Sequence, residues 1–236
     1  YNYDKFKFHQ LLETISNVDG VKRIRYTSPH PQDITDELLY TMSEHDNICN
    51  YIHLPLQAGS NRILKRMNRT YTKEKFLSLA EKIKRILPNV GISTDIIVGF
   101  PGETDDDFKQ TIEVMDEIKF DSAYNFKYSP RRGTKASEYD DQLNEEIKQY
   151  RLEQIIRLQK QHTLERNAGL VGTIQKVLVE KESKFSNDKW AGRTDSNKWV
   201  IFNKEELHTG DIIPIEIKEA KGITLHGKFL QNSGIA

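Results

Sequence analysis

The segment from Gly91 to Gly99 constrains the fold more than any other part of the chain. It reads as a near-continuous apolar strand ending in Ile96-Ile97-Val98, set between two stretches of helical periodicity. Phe76, Leu79, Ile83 and Leu87 predict a helix over about 73–87, and a second helix is expected from Thr104 to Ile118. A strand apolar on both faces and flanked by helices is the pattern of a parallel strand covered on both sides.

The same unit recurs along the first two-thirds of the chain. Phe8, Leu11, Leu12 and Ile15 predict a helix over about 4–17. Lys22 to Thr27 alternates as a strand until Ser28-Pro29-His30-Pro31 breaks it, and Thr35-Asp36-Glu37 opens a helix through Met42. A strand at about 49–56 leads into a short helix holding Ile63, Leu64 and Met67, and Ser122 to Tyr128 forms the last strand of the series. Strands regularly separated by helices predict parallel pairing with right-handed crossovers.

Beyond Asn144 the character changes. Ile147, Leu152, Ile155, Ile156, Leu158 and Leu164 mark one long helix to Leu170, with charges on its other faces, suited to bridging two domains. From Gly172 helical periodicity disappears, and five short strands follow at 172–180, 189–194, 198–202, 211–219 and 224–229. Asp195-Ser196-Asn197 reads as a hairpin turn between two of them. Such a tail predicts a small barrel of the oligonucleotide-binding type. The expected class is therefore α/β, with a partial parallel barrel over 1–143, a linking helix over 144–168 and an all-β barrel over 169–236.

Composition narrows the functional classes. Hydrophobic residues make up 36% and charged residues 30% of the 236, a globular composition. The formal net charge of +0 supplies no bulk attraction for nucleic acid, so RNA binding has to come from a local patch or from stacking. No apolar run approaches the ~20 residues that span a membrane. The one cysteine, Cys49, excludes an internal disulfide and a multi-thiolate metal site, and it reads as a small buried residue. The start at Tyr1 reads as a fragment boundary or as the first ordered residue of a longer protein, and a reducing cytoplasm is the default location.

In parallel sheets the working loops follow the carboxyl ends of the strands. Four segments stand there: Tyr26 to Pro31, His53 to Asn61, Asp95 to Thr104 and Tyr128 to Thr134. In the third, Gly99 and Gly102 would let backbone approach a ligand, Pro101 stiffens the turn, and Thr104 with Asp107 forms a capping-box start. Its acidic turn, Asp105 to Asp107, suits a cationic or zwitterionic ligand or a ribose better than a phosphate. Each loop alone reads as an ordinary turn: Gln57 and Ser60 as helix caps, Arg131 and Arg132 as a solvated pair, His30 and His53 as structural histidines. The order of all four favours a site.

The segments TSPHPQDITDELL, HLPLQAGSNRILKRMNRTYT, STDIIVGFPGET and YSPRRGT, in that order, resemble the radical S-adenosylmethionine methylthiotransferases. The resemblance covers nearly the whole chain, including a TRAM domain from near Gly169. It is nearest to the branch that methylthiolates C2 of N6-isopentenyladenosine beside the tRNA anticodon. It implies a partial parallel barrel with S-adenosylmethionine across its open end. Thr27, Ser28, Gln57, Ser60, Asp95, Gly99, Phe100, Pro101, Gly102, Glu103, Tyr128 and Arg131 would line the cofactor pocket. Arg69 is a candidate contact for a substrate phosphate or a carboxylate, or else a helix-terminal surface arginine.

The resemblance further implies two [4Fe-4S] clusters, one held by a Cys-x-x-x-Cys-x-x-Cys loop. Clusters need thiolates, so neither set of ligands lies in this chain, which as numbered holds no catalytic residue or metal site and should be inactive alone. Ala58 stands where the branch often has serine, and Arg132 and Lys135 where prolines are usual. The expected partner is tRNA, with no DNA, no membrane and a monomeric state. Lys189, Trp190, Arg193, Lys198 and Trp199 interleave cations with rings as an RNA handle, although at least one tryptophan is expected in the barrel core. Two rivals stand: a sister enzyme acting on threonylcarbamoyladenosine or a ribosomal protein, and a non-catalytic RNA-binding module.

Overall fold

The computed structural model describes residues 2–3, 6–27, 30–184, 186 and 188–230. It divides into two compact units, Tyr1–Gln159 and Lys160–Ala236. None of the helices described is long and apolar enough to cross a membrane.

In the first unit, β1 (Asn2–Tyr3) and β2 (Phe6–Lys7) pair antiparallel, and α1 runs only over Phe8–Ser16. The expected helix over 4–17 is shorter because every residue of its apolar stripe lies at or after Phe8. The Lys7 amide donates to the Gln10 side chain at 2.8 Å, closing the helix start there. The strand expected over 22–27 shrinks to one bridge, Ile24 with Ile48. Immediately after that bridge the Tyr51 amide bonds back to the Cys49 carbonyl at 2.8 Å, and this tight turn ends the edge on which a ladder could grow. Thr35 caps α2 (Asp36–Glu44), as its sequence predicts.

The centre is a three-stranded parallel sheet: β3 (Tyr51–His53), β4 (Gly91–Val98) and β5 (Ser122–Lys127), in that order. Between them lie α3 (Asn61–Arg66), α4 (Lys73–Ile86) and α5 (Asp105–Ile118). Strand alternation splits the sheet into two faces. Ile52, Leu54, Ile92, Ile96 and Val98 are buried in a core with Ile63, Phe76, Ile83, Val114 and Met115 from the helices. The other face carries Tyr51, His53, Ser93, Asp95, Ile97, Tyr124 and Phe126, and Tyr124 and Phe126 are more than half exposed. Burial of the first set fixes register, because a slip by one residue would turn the polar set into the core.

Helix α6 (Glu145–Ala168) carries the chain from the first unit into the second. Its predicted apolar stripe holds only in part. Ile155 is buried and Leu152 and Leu158 pack on the core, yet Ile147, Ile156 and Leu164 are exposed. Lys148, Arg151 and Gln159 are buried instead. Each has a partner that makes this tolerable: Glu145 for Lys148, Glu103 and Asp105 for Arg151, and the Phe120 carbonyl for Gln159.

The second unit is a closed barrel of β6 (Ile174–Glu182), β7 (Lys189–Thr194), β8 (Trp199–Asn203), β9 (Ile212–Lys221) and β10 (Thr224–Phe229), in the order β10-β8-β7-β6-β9. The β7–β8 connection is the expected hairpin turn, with Asn197 at φ 66°. Gly192 is required where β7 crosses β6, since a Cβ there would lie 2.2 Å from the Leu178 carbonyl oxygen. Val177, Val179, Val200, Phe202, Ile215, Ile217 and Leu225 fill the interior.

Candidate functional site

A cavity of about 910 Å³ opens in the first unit beyond the carboxyl ends of β4 and β5. Gln57, Asp95 and Ile97 line it from the sheet, Phe100 and Tyr128 from the following loops, and Lys65 to Arg69 from the end of α3. Gln57 is buried with φ 66°, a left-handed conformation that a non-glycine residue seldom adopts. Two bonds hold it there: its amide donates to the Asp95 carbonyl at 2.8 Å, and its own carbonyl accepts from the Ile97 amide at 2.9 Å. The turn also ties back through Tyr71, whose hydroxyl bonds the Pro55 and Leu56 carbonyls at 2.9 and 3.1 Å. Burial pushes the Tyr71 hydroxyl up to about 12, with nearby Arg69 opposing and Asp95 adding to the shift.

Asp95 closes a chain of polar contacts across the open face of the sheet. Its carboxylate meets His53 Nε2 at 3.3 Å, His53 Nδ1 meets Ser93 Oγ at 2.8 Å, and Ser93 Oγ meets the Tyr51 hydroxyl at 2.5 Å. Tyr124, opposite Asp95 on β5, stands edge-on to the His53 ring at 5.9 Å. The arrangement fixes the orientation of one carboxylate at the cavity wall.

The loop after β4 is held from behind by two ion pairs. Asp107 accepts from Ser60 Oγ at 2.5 Å, from Thr104 in the predicted capping box, and from Arg62. Burial works to raise the Asp107 carboxyl, but the bonds from Arg62, Ser60 and Thr104 outweigh it and hold the group well below the usual carboxylate range. Glu103 accepts from the Gly99 amide at 2.7 Å and from Arg151 at 2.7 Å, with both side chains almost fully buried. Burial raises the Glu103 carboxyl above its usual value, against the lowering effects of Gly99 and Arg151.

The predicted residues therefore separate. Gln57, Asp95, Phe100, Tyr128, Arg131 and Arg69 come together around the cavity. Ser60 and Glu103 turn into the protein, as the Asp107 and Arg151 contacts show, and Thr27 is exposed away from the cavity lining. Ser28 lies outside the described residues. Pro101 is buried, and Gly99 and Gly102 serve packing against the chain itself. A Cβ at Gly99 would meet Lys148 Cγ at 2.4 Å, and one at Gly102 would meet an Asp141 carboxylate oxygen at 2.3 Å. The acidic turn is likewise spent internally, with Asp105 on Arg151 and Asp107 on Arg62. Arg151 and Arg62 were not legible as site residues, since each acts on a loop 40 or more positions away. His30 caps a short helix through a 3.3 Å bond from the Gln32 amide.

In the barrel, Trp190 belongs to the interior and Trp199 does not. The Trp199 ring carries Lys181 at 4.6 Å and Arg193 at 5.1 Å. Arg193 also pairs with Glu180 at 2.7 Å, Lys198 reaches Asn167 at 2.9 Å, and Lys189 is half-buried at the start of β7.

A three-stranded parallel sheet with a cavity at its carboxyl ends is followed along the chain by a closed five-stranded barrel. Residues 1–115 match the Radical SAM superfamily and residues 169–230 match the TRAM domain. It is 44% identical over 95% of its length to a tRNA-2-methylthio-N(6)-dimethylallyladenosine synthase of Thermoanaerobacter sp. (strain X514), covering 48% of that protein. It is 46% identical over 93% of its length to the protein of the same name from Carboxydothermus hydrogenoformans, covering 50% of it. The chain thus spans about half the length of the curated relatives it matches. Among solved structures it is similar to coproporphyrinogen III oxidase (HemN) from Escherichia coli, with a TM-score of 0.49 and 15% identity over 71% of this chain and 45% of that one.

Proposed function

We propose that this chain is the cofactor-pocket and RNA-binding portion of a tRNA methylthiotransferase that acts on C2 of N6-isopentenyladenosine beside the anticodon. The observation that carries the reading is the cavity itself. One oriented carboxylate, Asp95, stands beside the aromatic groups Phe100, Phe126 and Tyr128 and the guanidiniums of Arg69 and Arg131. Those groups fit S-adenosylmethionine: a carboxylate for its ammonium, a guanidinium for its carboxylate, and rings for its adenine. The Tyr128 hydroxyl and Asn125 Oδ1 are buried without a hydrogen-bond partner among the described residues, and the hydroxyl is free to meet a ligand at the cavity wall.

Gln57, Asp95, Phe100, Tyr128 and Arg131 bind the cofactor directly in this reading, while Ser60, Gly99, Pro101, Gly102 and Glu103 hold the loops in place. When bound beside a reduced iron–sulfur cluster, S-adenosylmethionine supplies the radical and methyl chemistry. The cluster does not fit this chain, whose one cysteine, Cys49, is buried in the core. Its two [4Fe-4S] clusters belong to the rest of the protein. The partner is tRNA, met by Trp199, Lys181 and Arg193 on the closed barrel, and the protein works as a cytoplasmic monomer without DNA or membrane.

The test is anaerobic turnover by the full-length protein with reconstituted clusters on isopentenylated tRNA, read by nucleoside mass spectrometry. Methylthiolated product, lost on Asp95→Asn, supports the reading. Product only on threonylcarbamoyladenosine tRNA or a ribosomal protein assigns a sister enzyme. No cofactor cleavage at all leaves the RNA-binding module.

A further inference from the structure

The charge on the cavity exceeds what its cofactor can use. Six cationic side chains line it, Lys65, Arg66, Arg69, Lys127, Arg131 and Lys135, against the single carboxylate of Asp95. Two of the cations are balanced by neighbours: Arg66 pairs with Asp141 at 2.8 Å and Lys127 with Glu145 at 3.0 Å. Arg131 is the exposed guanidinium assigned above to the cofactor carboxylate. Lys65, Arg69 and Lys135 remain, and their side chains make no ion pair or hydrogen bond with another described residue. Arg69 is the most telling, because its Nε is buried in the protein without a partner. Leaving a buried guanidinium nitrogen unmet is costly, so the site is built for an acceptor that arrives with a ligand.

S-adenosylmethionine is not that acceptor. Its carboxylate is offset by an ammonium and a sulfonium, so it enters as a net cation and adds to the positive charge. The balancing ligand has to bring several anionic oxygens at once. Room is present, since about 910 Å³ lies at the top of the ~300–1,000 Å³ that single-ligand sites enclose. A guanidinium flanked by two flexible ammonium groups suits successive phosphodiesters, which are gripped two-pronged by arginine and as point charges by lysine.

We propose that Lys65, Arg69 and Lys135 form a phosphodiester-binding wall that holds the backbone of the RNA strand whose nucleotide enters this cavity. The inference rests on the tRNA reading above and adds a second RNA contact, in the first unit, to the one on the barrel. Local sequence places the wall. Asn68 at φ 57° turns the chain out of α3, and the Arg69 amide bonds back to the Leu64 carbonyl at 2.8 Å, which aims the Arg69 side chain into the cavity.

Salt dependence reads the wall directly. Each phosphate neutralised on a single strand contributes about 0.7 to the slope of log K against log salt. Binding of a fluorescein-labelled anticodon stem-loop RNA to the full chain is measured from low to moderate KCl. The K65Q/R69Q/K135Q variant is expected to lose about 2 from that slope. Because Lys65 and Lys135 are exposed, the K65Q/K135Q pair keeps the test open if Arg69→Gln disturbs folding, with an expected loss of about 1.4. Trp199→Ala in the barrel is expected to weaken binding while leaving the slope in place. An unchanged slope with RNA binding intact overturns the wall and leaves the tRNA reading standing. Loss of S-adenosylmethionine binding in the full-length variant with an unchanged RNA slope also overturns it, and reassigns the cations to a small carboxylate. Failure of the unaltered chain to bind RNA at any salt takes down both.

Discussion

Replacing Arg151 with methionine removes the only cation that meets Glu103 among the described residues. Arg151 donates to the Glu103 carbonyl at 3.0 Å, to its carboxylate at 2.7 Å and to Asp105 at 2.7 Å, and the Arg151 and Glu103 side chains are 4% and 1% exposed. Methionine keeps the volume but strands a buried carboxylate on the Gly99 amide alone. Breaking such a pair from one side costs about 3–5 kcal/mol. For a unit of this size that corresponds to a fall in Tm of roughly 6–20 °C. The loss depends on pH with a definite sign. Burial already lifts the Glu103 carboxyl above its usual value, and removing Arg151 lifts it further. A carboxyl raised on folding destabilises while ionised, so its penalty is full above the folded value and vanishes as pH falls through the ordinary carboxylate range. Arg151→Met is therefore expected to be most damaging at neutral pH and to recover part of the deficit near pH 5. Both tryptophans belong to the second unit, so urea unfolding is followed by circular dichroism rather than fluorescence. A loss under about 1 kcal/mol, or an equal loss at both pH values, would mean that Arg151 does not compensate a buried Glu103 charge.

Asp107→Asn is expected to cost about 2–3 kcal/mol at neutral pH, since the carboxylate meets Arg62, Ser60 and Thr104. Because the Asp107 carboxyl is depressed on folding, its contribution is present above its ordinary value and lost as pH falls below it, so a stability profile of the variant should show a shallower acid limb. Gly59→Ala places a Cβ 2.5 Å from backbone atoms of Gln110 and Thr111, which cannot swing away, and should destabilise by about 1–3 kcal/mol in thermal unfolding. The two tryptophans should part company. Trp190→Ala is expected to cost the barrel about 3–5 kcal/mol, whereas Trp199→Ala leaves its stability nearly unchanged and weakens RNA binding by about 1–3 kcal/mol in a fluorescence titration.

What the sequence made legible was local. The apolar run at Gly91–Val98, the stripe of Phe76, Ile83 and their neighbours, and the Thr104–Asp107 box each depend on residues a few positions apart, and each stands where the spacing predicts. The resemblance to the radical S-adenosylmethionine methylthiotransferases, too, rests on ordered loop motifs. What stayed hidden depends on distance in the chain. Nothing near Gln57 announces a left-handed backbone, because the bonds that hold it come from Asp95 and Ile97. The polar buried side of α6 read only as charges off the apolar stripe, since the carboxylates that accept Arg151 lie far off in the chain, Glu103 on the loop before α5 and Asp105 at its first position. For the same reason Gly99 and Gly102 looked like ligand-facing glycines, when Lys148 and Asp141 are what they leave room for.

The role proposed for the cavity is methylthiolation of isopentenylated adenosine in tRNA. The most direct measurement is mass spectrometry of tRNA nucleosides from cells with and without the gene. On deletion 2-methylthio-N6-isopentenyladenosine is expected to disappear while N6-isopentenyladenosine accumulates. Unchanged levels of both would contradict it.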